Sequence, residues 1–124
     1  MIVIDYQNRQ PIYEQIVDRF QILIITGALE PDSQIPSVRS LAVELSINPN
    51  TIQKAYAALE QEGFIYPVKG RGNFVSGNSG LKAKMQEAFY RKLRQMIQRG
   101  RDLDIGREAF LKRAVEYYEE ELHD

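Results

Sequence analysis

Ser37-Val38-Arg39-Ser40-Leu41-Ala42-Val43-Glu44-Leu45-Ser46-Ile47-Asn48-Pro49-Asn50-Thr51-Ile52-Gln53-Lys54-Ala55-Tyr56 is the stretch on which the fold turns. Its first part predicts a short helix from Val38 to Leu45, N-capped by Ser37, with Val38, Leu41, Ala42 and Leu45 facing inward. Ser46-Ile47 leaves room only for a tight connection. Asn48-Pro49 then opens a second helix: the asparagine can accept from free backbone N–H groups, and proline suits a first helical position, where no N–H is needed. That helix runs to about Glu62 and stops at Gly63, a natural left-handed cap. Its inward face is Ile52, Ala55, Tyr56 and Leu59; the opposite face offers Asn50, Gln53, Lys54 and Ala57, with Thr51 at the flank. Two short helices joined by a tight turn predict a helix-turn-helix, whose second helix enters the DNA major groove and meets base edges with its N-terminal residues. Asparagine and glutamine can pair with adenine, and lysine reaches guanine acceptors or a phosphate.

Upstream, Ile12, Ile16, Phe20, Leu23 and Ile24 recur at helical spacing, so 12–26 reads as a helix with one buried stripe, Pro11 suiting its first turn and Gly27 its end. Glu30-Pro31-Asp32-Ser33 reads as a turn. Downstream of Gly63 the pattern becomes extended. Phe64-Ile65-Tyr66 and Asn73-Phe74-Val75 flank Lys69-Gly70-Arg71-Gly72, which predicts a β-hairpin with a glycine-rich, basic tip. Gly77-Asn78-Ser79-Gly80 reads as a short hinge, followed by a long amphipathic helix ending near Gly100 and a final helix carrying Phe110, Leu111, Ala114, Val115, Tyr118 and Leu122 on one face. The fold class expected is therefore mainly α with a small β-hairpin wing. A winged helix-turn-helix over residues 1–76 precedes a two-helix region over 77–124.

Composition narrows the chemistry. There is no cysteine, which excludes disulfides, thiolate metal sites and a cysteine nucleophile, and the lone histidine, His123, sits at the C-terminal end. Carboxylates are spread at helical surface spacing with no catalytic partner, so neither an enzyme nor a metal or cofactor is expected. No apolar run approaches the roughly 20 residues that span a bilayer, and the start lacks the basic region of a signal peptide, which together read as a cytoplasmic protein with no membrane partner. The net charge of −1 gives no global support for nucleic-acid binding, so any DNA surface must be a local cluster of cations.

The run Leu29-Glu30-Pro31 through Ile35-Pro36-Ser37-Val38-Arg39-Ser40-Leu41-Ala42 resembles the opening signature of the GntR family of regulators. The resemblance continues in register through Asn50-Thr51-Ile52-Gln53-Lys54-Ala55 and Leu59-Glu60-Gln61-Glu62-Gly63, and closes with Gly70-Arg71-Gly72-Asn73-Phe74-Val75. Asn48-Pro49-Asn50-Thr51 followed by Ala55-Tyr56 is similar to the YtrA-like subfamily, whose members carry only a two-helix tail. The resemblance implies a DNA-binding transcriptional regulator, commonly a repressor, that meets double-stranded DNA with Ser37 and Arg39, with Asn50, Thr51, Gln53 and Lys54, and with Lys69, Gly70 and Arg71 of the wing. Pro49 and Gln53 stand where much of the family has basic residues, so base preferences of other subfamilies do not transfer.

Taken alone, each of these features also has a plainer reading: Asn48-Pro49 as a cap, Arg39 as a solvated charge, the wing tip as an ordinary hairpin. A winged-helix module for protein contacts is the other class of function, and retention of Lys54, Lys69 and Arg71 argues against it. In the tail, Arg91, Lys92, Arg94, Arg99 and Arg101 read as a solvated side. The stripe of Leu81, Met85, Phe89, Leu93 and Met96 and the face of Phe110, Ala114 and Tyr118 are expected to form a homodimer seam. The tail leaves room for at most a small cleft for an effector, whose chemistry the sequence does not name.

Overall fold

The apolar stripe of Ile16, Val17, Phe20, Leu23 and Ile24 becomes the buried face of α1, Ile12–Ile25, with Pro11 as its N-cap one position before the first turn. The structure, a computed structural model, describes residues 2–77 and 79–121, so the expectations placed on Asn78, Leu122 and His123 lie outside the described residues. After α1 come α2 (Val38–Leu45), α3 (Pro49–Gln61), β1 (Ile65–Val68), β2 (Gly72–Val75), α4 (Leu81–Asp102) and α5 (Arg107–Glu121). The fold is thus mainly helical with a two-stranded wing. The chain divides into two compact units, residues 1–82 and 83–124.

In the first unit, capping chemistry sets where α2 and α3 begin. The Ser37 hydroxyl accepts from the Ser40 N–H at 3.0 Å, and the Asn48 side-chain oxygen accepts from the Asn50 N–H at 2.8 Å. Each satisfies a donor that the first turn leaves without an intrahelical partner. The ends follow one pattern. At α3 the Phe64 N–H reaches back to the Leu59 carbonyl and the Gly63 N–H to that of Glu60, with Gly63 at φ 85°. At α2 the Ile47 N–H bonds the Ala42 carbonyl and the Ser46 N–H that of Val43, so Ser46 itself takes the left-handed conformation (φ 55°, ψ 46°). This non-glycine left-handed residue makes the turn between the two helices.

Phe20, Ile16, Leu41, Ile52, Leu59 and Val75 are the largest fully buried side chains, and they draw α1, α2, α3 and the wing around one core. Phe20 meets Tyr56 edge-on, with ring centroids 5.7 Å apart. The Tyr56 hydroxyl donates to the Pro36 carbonyl at 2.8 Å, and burial, with the Glu44 charge second, pushes its phenol well above the usual tyrosine range. β1 and β2 pair antiparallel from Ile65 opposite Val75 to Val68 opposite Gly72. A third extended run lies along β2: the Ile35 N–H bonds the Asn73 carbonyl, the Val75 N–H that of Ser33, and Gln34 bridges Phe74. Sequence periodicity gives no sign of this run, because three residues are too few to show alternation.

The second unit holds the rest of α4 and all of α5, and none of its described side chains is buried. The sequence pattern ends the long helix near Gly100, but α4 continues to Asp102. Its end is built like those of α2 and α3: the Ile105 N–H bonds the Gly100 carbonyl, the Asp104 N–H that of Arg101, and Asp104 stands at φ 60°. Aspartate tolerates that conformation, which moves the stop beyond the glycine. Within one chain α4 and α5 pack little against each other. Phe89, Met96, Leu103 and Tyr118 are all more than 60% exposed.

Ser46 gives the sharpest test of this fold. A β-branched side chain at its positive φ adds clash with the neighbouring carbonyl, so Ser46→Val is expected to cost about 1–2 kcal/mol. Ser46→Gly relieves that strain and is expected to be tolerated. Urea unfolding of both variants, followed by circular dichroism, checks the pair.

Candidate nucleic-acid interface

Four buried residues, Ile52, Ala55, Tyr56 and Leu59, turn one side of α3 into the core. The opposite side is thereby presented outward. Asn50, Gln53, Lys54 and Ala57 are exposed and Thr51 is half-buried, the division that the sequence pattern predicts. On α2, Ser37 and Arg39 are exposed. Ser37 spends its oxygen as an acceptor for the cap, which leaves the hydroxyl proton available to a phosphate oxygen. The wing tip is Lys69-Gly70-Arg71, closed by a 2.9 Å bond from the Arg71 N–H to the Val68 carbonyl, with Gly70 at φ 77°. Gly72, grouped with the tip in the sequence pattern, begins β2 instead.

The structure joins these residues in two groups. Asn50, Thr51 and Lys54 line a shallow recess of about 410 Å³ together with Pro11, Ile12 and Tyr13 of the α1 N-terminus. The Lys54 ammonium lies 4.0 Å from the centre of the Tyr13 ring, a geometry that stabilises by about 0.5–1 kcal/mol at an exposed position. The Tyr13 phenol is raised above its ordinary range, chiefly by the adjacent Glu14 charge, so it stays neutral near pH 7. The second group is tied by Gln34, whose side-chain amide donates to the Arg71 carbonyl at 2.7 Å. Because Gln34 lies three residues before Ser37, this bond links the wing tip to the segment that leads into α2. Tyr66 adds a second tie, donating to the Asp32 carboxylate at 2.7 Å and stacking on Phe74 with centroids 5.8 Å apart.

Tyr13 and Gln34 are the residues of this region that sequence reading misses. Tyr13 lies off the buried stripe of α1 and carries no charge, and Gln34 sits in a run without periodicity. Neither gives a signal until the chain is folded. The cations of the region are not locked in ion pairs: Arg39, Lys54, Lys69 and Arg71 are exposed, and among the described residues none has a carboxylate within 4 Å. A chain of net charge −1 therefore keeps a local set of unneutralised cations on its helix-turn-helix and wing. Among the described residues no group of acidic or histidine side chains could hold a metal ion, and no helix is long and apolar enough to cross a membrane.

The seam residues expected of the tail are placed differently. Met85, Leu93, Phe110 and Ala114 are half-buried, and Phe89, Met96 and Tyr118 are exposed. Leu81 departs from the expectation. It is 2% exposed and belongs to the first unit, where its side chain lies near Gly63, so it is a core residue of that unit rather than a free member of a seam.

A helix-turn-helix followed by a two-stranded wing defines the winged-helix class of DNA-binding regulators. Residues 12–75 match the model of the gntR family of bacterial regulatory proteins, and the chain belongs to that family. It is 46% identical over 79 residues to the HTH-type transcriptional repressor YtrA of Bacillus subtilis (strain 168), a match that covers 64% of this chain and 61% of that protein. Among solved structures it is similar to a transcriptional antiterminator from Listeria monocytogenes EGD-e, at 33% identity and a TM-score of 0.76, covering 95% of this chain and 90% of that one. It is also similar to the DNA-binding domain of AraR in complex with operator ORE1, at 29% identity and a TM-score of 0.52, covering 61% of this chain and 93% of that one.

Gly72 tests how the wing is held. It stands at φ 119°, and a Cβ there would come within 2.8 Å of the Gln34 side-chain nitrogen. Gly72→Ala is expected to cost about 1–3 kcal/mol, combining backbone strain with displacement of Gln34 from Arg71. In a Gln34→Ala background only the strain remains, so the cost of Gly72→Ala should shrink. Thermal unfolding of the two single variants and the double variant checks this.

Proposed function

We propose that this transcriptional regulator is a homodimeric repressor that binds an inverted-repeat operator in the cytoplasm and works by binding rather than catalysis. The observation that carries the reading is the outward face of α3, with the wing, whose cations form no ion pair among the described residues. Asn50, Thr51, Gln53 and Lys54 stand where a major-groove helix needs base-reading groups, Ser37 and Arg39 where α2 meets the backbone or a base, and Lys69, Gly70 and Arg71 where a wing approaches the minor groove. The operator complex of AraR and the repressor name of YtrA support the same reading by likeness.

The division of labour follows residues 1–76 for DNA and 77–124 for dimerisation, with Leu81 excepted. The tail supports a dimer through what it leaves uncovered. Each large apolar side chain kept in water forgoes about 1.5–3 kcal/mol, and Phe89, Met96, Leu111, Val115 and Tyr118 are all exposed. A second tail would cover these faces and complete a four-helix arrangement. A small effector would act through the tail helices, by favouring one arrangement of the two DNA-binding units over another.

The experiment begins by selecting a duplex from a random pool with the wild-type chain. Arg39→Ala should then weaken binding by about 1–3 kcal/mol and relax base choice, as expected for a lost base contact. Lys69→Ala should weaken all sequences alike and flatten the dependence of affinity on salt, as expected for a lost phosphate contact. Sedimentation of the wild-type chain at micromolar concentration should report a dimer. Wild-type binding by both variants would refute the site, and a monomer would refute the assembly.

A further inference from the structure

Tyr13 is half-buried and stands off the stripe that packs α1 into the core, and among the described residues its hydroxyl reaches the neighbouring Glu14 carboxylate at 3.3 Å. What the ring does meet is Lys54, four residues into the outward face of α3 from Asn50, with the ammonium 4.0 Å from the ring centre. Both side chains line the same recess as Asn50 and Thr51. Among the described residues no carboxylate lies within 4 Å of Lys54, so the aromatic face is what restrains this cation.

Lysine carries its charge on a flexible four-carbon stem with many rotamers, and ordering that stem on binding opposes affinity. A ring that already holds the ammonium reduces this opposition. It engages one side of the ammonium through its π face and leaves N–H donors free on the other. We propose that Tyr13 is a positioning residue for Lys54, its ring holding the ammonium at the mouth of the recess beside Asn50 and Thr51 so that the cation meets DNA from a fixed place. The inference rests on Lys54 as a DNA contact and deepens that reading by assigning α1 a part in it.

The test is a double-mutant cycle on a duplex selected with the wild-type chain. Tyr13→Leu, which keeps bulk and removes the ring, should weaken binding about three- to five-fold, the part of the Lys54 stem's ordering cost that the ring removes before binding. Tyr13→Phe should rescue binding, because it retains the ring. In a Lys54→Met background Tyr13→Leu should change nothing further. Equal losses in both backgrounds, or undiminished binding by Tyr13→Leu, would overturn the role of Tyr13 while leaving Lys54 a contact. Wild-type binding by Lys54→Met would instead remove Lys54 from the interface and this inference with it. Nuclear magnetic resonance of the wild-type chain tests the geometry without any variant. The Lys54 ε-methylene protons should be shifted upfield by the Tyr13 ring, and unshifted resonances would contradict the pairing even if Tyr13→Leu failed to fold.

Discussion

Everything outward on α3 depends on how Tyr56 is held inward. Its ring lies edge-on to Phe20 of α1, and its hydroxyl donates to the Pro36 carbonyl just before α2. One side chain thus ties α3 both to α1 and to the segment that leads into α2. An apolar residue could fill the same space but would leave the Pro36 carbonyl without this donor, at about the 0.5–1.5 kcal/mol net worth of one hydrogen bond. A phenylalanine or leucine there would also lose the directional tie that, beside the burial of Ile52, Ala55 and Leu59, fixes the rotation of α3 about its own axis. That rotation decides which residues face outward. Since successive helical residues differ by about 100°, even a partial roll would move Asn50 or Lys54 off the surface.

The charge pattern follows from the same arrangement. The chain as a whole is slightly acidic, which disfavours indiscriminate attraction to nucleic acid. The four exposed cations of α2, α3 and the wing escape that average because no described acid pairs with them. Local field rather than net charge steers a polyanion, within a distance set by screening of about 8–10 Å at moderate salt. Several acids of the first unit accept hydrogen bonds from neighbouring side chains, Glu14 from Tyr13 among them. Asp32 accepts from Tyr66, Asp18 from Gln10, and Glu62 from Gln21.

Most of the fold was legible because its signals are local. Ser37, Asn48-Pro49 and Gly63 announce helix ends through backbone chemistry that needs no tertiary partner, and Ile52, Ala55, Tyr56 and Leu59 announce a buried face by spacing alone. What was not legible depends on contacts between segments far apart in sequence. Gln34 bonds Arg71 across 37 positions, and the run at residues 33–35 becomes strand-like only because β2 lies beside it. Tyr13 gains its meaning from Lys54 on another helix. Leu81 shows the converse failure: it fits the periodicity of α4, yet the first unit claims it, and spacing within one helix cannot say which core a residue joins. α4 runs two residues past Gly100, to Asp102, because Asp104 rather than a glycine takes the left-handed position.

The central claim is that the outward face of α3 reads base edges in the major groove, once from each half of a dimer. Its most direct test is interference by 7-deazapurines in a duplex selected with the wild-type chain, because that substitution removes the N7 acceptor that adenine and guanine show only in the major groove. Loss of binding is expected at two clusters of purines related by a two-fold axis, with centres about one helical turn apart, roughly 10–10.5 base pairs, or a multiple of it. Binding indifferent to every N7 substitution, or sensitive at a single unrepeated cluster, would contradict it.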